Sequence, residues 1–182
     1  MPRATKPIVY TVGHSNRTAK EFIDLLKLNG VKQIIDVRTV PKSRHNPQFN
    51  EKRLANALAK QGIAYERFED LGGFRHAKKD SKNMGWRNVS FRGYADYMAT
   101  PEFAAGLERL EKAAHKKVTA FMCAEAVPWR CHRSLIADAL TKHGWEVLDI
   151  TGTSKPSKHR LTPFLKVRKG ILTYPAVQES LL

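Results

Sequence analysis

Ile8-Val-Tyr-Thr-Val-Gly-His-Ser-Asn-Arg-Thr-Ala-Lys-Glu-Phe-Ile-Asp-Leu-Leu-Lys-Leu-Asn-Gly-Val-Lys-Gln-Ile-Ile-Asp-Val37 is the stretch whose reading decides the fold. Ile8 to Val12 has the apolar, β-branched character of a buried strand. Thr18-Ala-Lys-Glu21 then spells a capping box, followed by Phe22, Leu25, Leu26 and Leu28 at helical spacing and by Asn29-Gly30 as a stop. Gln33 to Val37 is a second apolar run. Two strands joined through a helix make a βαβ crossover, which places the strands parallel with a right-handed connection.

The pattern continues outward. Asn50 is placed to cap a second helix, with Phe49 stapled against Leu54 and the run ending at Gly62, and Ile63 to Phe68 follows as a strand. Phe91 to Met98 and a helix opened by Thr100-Pro101 come next. Val118 to Cys123 is a fourth strand, the helix from about His132 stops at Gly144, and Trp145 to Ile150 is the last strand. The expected fold is α/β: one three-layer domain over residues 1–182, with a mostly parallel sheet of about five strands and flanking helices. Two parts stand outside this pattern. Residues 71–93 form a basic, glycine-rich loop with the length of a functional segment or lid, and residues 151–182 form a basic extension with enough apolar side chains to dock on the domain.

The chain has 182 residues, 42% of them hydrophobic and 27% charged, which excludes disorder and a disulfide-dense mini-fold. Its N-terminus lacks the apolar run of a signal peptide and no segment has the length of a membrane span, so a cytoplasmic protein without membrane partners is expected. The two cysteines, Cys123 and Cys131, are expected as free thiols in a reducing compartment. A net charge of +15 favours polyanionic partners, either nucleic acid or a phosphorylated small molecule. The charge is densest over Arg75, Lys78, Lys79, Lys82, Arg87 and Arg92, and again from Lys155 to Lys169. The sequence leaves the oligomeric state open.

In parallel sheets, ligands bind beyond the carboxyl ends of the strands, so the residues that follow each strand are read together. The first strand leads to His14, Ser15 and Asn16 after Gly13, where a helix start favours an anion; the alternative is that these residues only organise the turn. The second ends in Asp36 and Arg38, either a structural ion pair or an anion grip with an acid–base partner. The third leads to Gly72 and Gly73. The fourth ends in Cys123 and Glu125, and Cys131, His132, Arg133 and Ser134 stand at the next helix start.

Cys123, Glu125, His14 and Asp36 are the candidate catalytic groups. Ser15, Asn16, Arg38, Gly72, Gly73, Cys131, His132, Arg133 and Ser134 are the candidate ligand contacts. Cys123 stands where cysteine nucleophiles are stabilised by a helix start and by arginines, although buried cysteines are also common in strands. A tight phosphate cradle separates cysteine from arginine by about five residues, whereas Arg130 and Arg133 lie farther along. Cys123, Cys131, His132 and His14 lack the paired spacing of structural zinc sites, and no metal or cofactor is expected.

Taken together, Gly13-His14-Ser15, Asp36-Val37-Arg38, Leu71-Gly72-Gly73, Met122-Cys123-Ala124-Glu125 and Cys131-His132-Arg133 resemble the uncharacterised family catalogued as domain of unknown function 488. The resemblance runs from Ile8 to about Pro175 and includes His159-Arg160-Leu161-Thr162-Pro163 and Leu172-Thr173-Tyr174-Pro175. It implies a small α/β protein with a shared pocket and names no activity. The Asp36-Val37-Arg38 strand end also resembles a rhodanese, but without the compact cysteine-to-arginine loop a sulfur-transfer role rests on fold analogy.

Three readings follow. The preferred one is an enzyme or degenerate enzyme that binds a phosphate-bearing ligand, a nucleotide or nucleic acid, in the strand-end pocket through Arg38 and Arg133. The first alternative is a noncatalytic nucleic-acid-binding module using residues 75–92 and the basic tail, with Trp86, Phe91 and Tyr94 as stacking platforms. The second is cysteine-dependent sulfur transfer or redox chemistry.

Overall fold

The Thr18 hydroxyl accepts from the Glu21 N–H at 3.2 Å, and the Glu21 carboxylate accepts from the Thr18 N–H at 2.7 Å. This closes the capping box at the start of α1 (Ala19–Leu28). At the other end Gly30 takes φ 67°, a left-handed conformation that suits glycine. Strands β1 (Ile8–Gly13) and β2 (Gln33–Asp36) flank this helix. The computed structural model describes residues 5–176; the ends of the expected 1–182 domain, residues 1–4 and 177–182, lie outside the described residues.

The remaining elements are α2 (Glu51–Ala59), β3 (Ala64–Arg67), α3 (Val89–Tyr97), α4 (Pro101–Lys116), β4 (Thr119–Cys123), α5 (Arg133–Lys142) and β5 (Glu146–Ile150). Strands β1 to β5 are mutually parallel in the order β3-β2-β4-β1-β5. A short sixth strand, β6 (Ser157–Lys158), adds antiparallel to β5, and β7 (Lys166–Arg168) and β8 (Ile171–Thr173) form a separate hairpin. These three short strands carry no periodicity of their own and lie within the expected extension 151–182.

Alternation along the strands divides the core into two. Val12, Ile34, Ala120, Met122 and Ile150 pack with Phe22 and Leu26 of α1 and with Leu54 and Leu58 of α2. Val9, Ile35, Phe121, Cys123 and Val147 pack with α3, α4 and α5. The result is the expected three-layer α/β architecture with a mostly parallel sheet. The tail docks on the α5 face through Leu172 and Tyr174, and the Asp138 carboxylate binds it by accepting from His159 Nε2 at 2.8 Å and Tyr174 OH at 3.0 Å.

One expected cap is absent. Asn50 stands at the start of α2, but its side chain makes no cap; its Oδ1 accepts from the Ser43 N–H at 2.7 Å. The preceding loop thus takes the acceptor that the helix would have used. The expected loop 71–93 is loop only over 72–88, because the Asn88 side chain caps α3 and starts the helix at Val89; it is tied down by Asp96, whose carboxylate accepts from Lys78 N, Ser81 Oγ and Asn83 Nδ2 at 2.6–2.8 Å.

Candidate functional site

The chain leaves β1 and β2 for helices on one face of the sheet and leaves β4 for α5 on the other. The crevice beyond these three strand ends is the position at which open parallel sheets generally take ligands. His14, Ser15, Arg38 and Glu125 line an open cavity of about 360 Å³ there, together with Lys42 and Ser43. The strand parity that divides the core also divides the candidate residues into two networks.

On the α1–α2 face, the buried Asp36 carboxylate holds Arg38 in a bidentate pair, accepting from Nε at 2.9 Å and from Nη2 at 2.5 Å. Tyr65 OH adds a further donor at 2.6 Å, and burial beside this carboxylate pushes the Tyr65 phenol up. Arg38 also donates to the Phe49 carbonyl at 2.9 Å and to His14 Nε2 at 3.3 Å. His14 Nδ1 faces the Ser15 carbonyl at 2.7 Å, which accepts only, so Nδ1 carries the proton and Nε2 the lone pair. Burial, set against that hydrogen bond and assisted by Arg38, lowers the His14 pKa to about 4. The imidazole is neutral at pH 7 and stacks on Phe49 at 4.1 Å.

On the other face, Arg133 is 1% exposed and its guanidinium is surrounded by acceptors. Nε donates to Cys123 Sγ at 2.9 Å, Nη1 to Thr11 Oγ1 at 2.7 Å and Nη2 to the Glu125 carbonyl at 2.8 Å. Among the described residues no carboxylate forms a salt bridge with Arg133. A buried cation without a counter-charge is severely penalised, so the arrangement favours a thiolate at Cys123. Burial alone raises that thiol, but a hydrogen bond from Cys131 and the charge of Arg133 outweigh it and bring the pKa down to about 7. Burial and the neighbouring Cys123 push Cys131 the other way, so one thiol of the pair holds its proton.

His132 continues this network. Its Nε2 lies 2.9 Å from the Val37 carbonyl and therefore bears the proton, which leaves Nδ1 as an acceptor 3.5 Å from Cys131 Sγ. Burial lowers its pKa to about 4, so it is neutral. Cys131 thus has an acceptor for its proton in His132 Nδ1.

Several expected contacts have structural employment. The His14 and Ser15 amides, suited to an anion by sequence, donate to the Cys123 and Ala124 carbonyls at 3.0 and 2.8 Å, with Ser15 at a left-handed φ of 54°. The Glu21 carboxylate already sits at the α1 N-terminus. Gly13 is needed because a Cβ there would lie 1.6 Å from the Glu125 carbonyl oxygen, and one on Gly73 would lie 2.5 Å from His132 Nδ1. Gly72 similarly makes room for Thr39. Ser134 Oγ donates to the Cys131 carbonyl at 3.0 Å. Asn16 and Glu125 are exposed, Glu125 at the cavity rim.

The basic stretch is divided as well. Lys78, Lys79, Lys82 and Arg87 are exposed. Arg75 instead lies 3.6 Å over the Tyr97 ring and donates to the Gly72 carbonyl, and Arg92 donates to the Trp86 carbonyl. Trp86 packs on Phe91, Phe164 and Tyr174, and Tyr94 is fully buried. These aromatic rings are therefore core contacts rather than open stacking platforms.

Sequence reasoning passed over Thr11 and Tyr65, which complete the two networks, and Asp138 and Asp149, buried carboxylates on the α5 face. The available signal was a polar side chain inside an otherwise apolar strand or helix, as at Thr11, Asp138 and Asp149. Among the described residues no cluster of three or more His, Cys, Asp or Glu is placed to hold a metal, and no helix is long and apolar enough to cross a membrane.

Comparison with curated proteins finds no match, and neither does comparison with solved structures. The family comparison does, over residues 18–140, a span that contains Asp36, Arg38, both cysteines and Arg133. The chain belongs to the family described as Domain of unknown function DUF488.

Proposed function

We propose that this protein works as a thiol-dependent redox enzyme or sensor, with Cys123 as the reacting thiolate and Cys131 as the resolving thiol. The observation that carries this reading is the burial of Arg133 with Cys123 as its ionisable hydrogen-bond partner. A guanidinium at 2.9 Å both lowers the thiol pKa and fixes the sulfur lone pairs in direction. Cys131 supplies the second sulfur on the same face of the sheet.

Cys123 is 2% exposed, so its co-reactant must be small, and a hydroperoxide is the chemical class that fits. The Cys123 thiolate attacks the distal peroxide oxygen, the O–O bond breaks, and the leaving alkoxide or hydroxide takes a proton to form an alcohol or water. The resulting sulfenic acid is attacked by Cys131 sulfur as its S–H proton leaves towards His132 Nδ1. Hydroxide departs from Cys123 and leaves as water with that proton. Two thiols and one hydroperoxide thus become a disulfide, an alcohol or water, and a further water; an external dithiol returns the pair to the reduced state.

The phosphate grip assigned to Arg38 and Arg133 has less support, because both guanidiniums already donate to internal acceptors. A polyanion reading retains the exposed lysines of 78–82 as its support. The test is to expose the reduced protein to hydrogen peroxide and map the products by mass spectrometry. A Cys123–Cys131 disulfide is expected, with Cys131→Ser stopping at a trappable Cys123 sulfenic acid. Both thiols persisting under conditions that oxidise a free cysteine would overturn the proposal.

A further inference from the structure

A second cavity, of about 900 Å³, opens between the turn Pro128–Arg130 and the tail segment 157–164. It is distinct from the strand-end crevice, and none of the candidate catalytic residues lines it. Its size is that of a small-molecule site.

Two of its lining residues have unmet hydrogen-bonding capacity. Asp149 Oδ1 and Trp86 Nε1 are buried and have no partner among the described residues. Asp149 contributes an unsatisfied acceptor and Trp86 an unsatisfied donor, and native interiors rarely leave either unpaired. The other Asp149 oxygen lies 3.9 Å from His159 Nδ1, beyond hydrogen-bond distance. A ligand that carries both a donor and an acceptor offers each residue the kind of partner it lacks.

The walls are aromatic. Trp129 lines the cavity with 68% of its surface exposed, an unusual position for an indole without a partner. Trp86 and Phe164 line it too, packed edge to face at 5.0 Å. Arg160, exposed at the cavity, has no ion-pair partner among the described residues, whereas Lys158 faces Glu146 at 3.8 Å. A planar face, a donor–acceptor edge and an anionic group are together the chemistry of a nucleotide, and a lipid or simple sugar lacks at least one of them.

We propose that this cavity binds a nucleotide unit, its base stacked on Trp129 and hydrogen-bonded to Asp149 and Trp86, its phosphate facing Arg160. Seating the base draws the two polar atoms towards the ligand edge. The unit can be a free mononucleotide or a residue of a single strand, and the base pocket is the same for both.

The test is titration of the reduced, full-length protein with the four ribonucleoside monophosphates, ribose 5-phosphate, inorganic phosphate and a short single-stranded RNA. Intrinsic tryptophan fluorescence and calorimetry serve as readouts. Saturable quenching by at least one mononucleotide is expected, with ribose 5-phosphate and phosphate weaker by tenfold or more, on the order of one stacked base. Trp129→Ala and Arg160→Ala, both surface changes, should each weaken binding about five- to tenfold, and Asp149→Asn should do the same without loss of size. Reversal of Lys78, Lys79 and Lys82 should leave mononucleotide binding unchanged. Tighter binding by the RNA that still depends on Trp129 would assign the unit to a strand. Phosphate binding as tightly as the nucleotides, or affinities untouched by Trp129→Ala and Asp149→Asn, would overturn the proposal. Cys123→Ser should bind nucleotide normally, so failure here and failure of the thiol reading are separable.

Discussion

Arg133 Nε and Cys123 Sγ lie 2.9 Å apart at the end of β4, with both residues buried. The pair joins residues ten positions apart through the start of α5, and it makes the charge state of the thiol depend on the guanidinium. Removing the cation should therefore cost both stability and acidity. Arg133→Gln is expected to destabilise the fold by about 3 kcal/mol, the scale of breaking a buried ionic pair. Urea unfolding at pH 8, with Cys123→Ser as a second background, measures it; the two losses should not add, because each removes the same pair.

Stability should also depend on pH through Cys123. Its folded pKa of about 7 lies below the ordinary 9.0, so between these values the unfolded chain holds a proton that the folded one has released. Stability then rises with pH across that window, is fully present above pH 9 and is lost as pH falls through 7. The expected amplitude is about 2 kcal/mol. Above that window the raised Cys131 pKa reverses the trend. Chemical unfolding of the reduced protein across this range should show the slope, and Cys123→Ser should flatten it.

A second pH dependence comes from the buried imidazoles. His14 and His132 have folded pKa values of about 4 against an ordinary 6.5. Their neutral forms contribute stability that is complete above pH 6.5 and is lost as pH falls towards 4. Each is expected to account for up to about 3 kcal/mol of acid destabilisation. Circular dichroism melts from neutral to acid pH should show a shallower loss in His132→Gln than in the parent.

The Asp36 network predicts an asymmetry. Tyr65→Phe removes one donor while Arg38 remains, so the expected cost is about 1 kcal/mol. Asp36→Asn leaves a buried Arg38 uncompensated and should cost about 3 kcal/mol or more. Equal losses for the two variants would show that Arg38 is not held chiefly by Asp36.

The basic loop separates by exposure. Charge reversal at the exposed Lys78, Lys79 and Lys82 should change stability by no more than about 0.5 kcal/mol per site. Arg75→Ala loses the contact over Tyr97 and the bond to the Gly72 carbonyl, and should cost about 1–2 kcal/mol. Thermal unfolding compares them.

Local and periodic signals carried much of the architecture. The capping box at Thr18 and Glu21, the stop at Gly30 and the apolar runs at residues 8–12 and 33–37 each depend on neighbours within a few positions, and all appear as read. Chain order also brought His14, Asp36, Arg38 and Cys123 to the strand ends. What each side chain does there was not legible. Arg133 meets Thr11 across 122 residues and Tyr174 meets Asp138 across 36, and such partners are chosen by sheet order and strand parity rather than by spacing. The same distance hid the role of Asp149 and Trp86, which come together at a cavity only when the tail folds back.

The most direct test is a pH titration of the reduced protein by the ultraviolet absorbance of its thiolates, which reports a buried sulfur without requiring a reagent to reach it. The parent should show one thiolate appearing with a midpoint near 7, absent in Cys123→Ser and moved upward by about a unit or more in Arg133→Gln. A parent with no thiolate below the ordinary thiol range, or a midpoint unmoved by Arg133→Gln, would contradict the account.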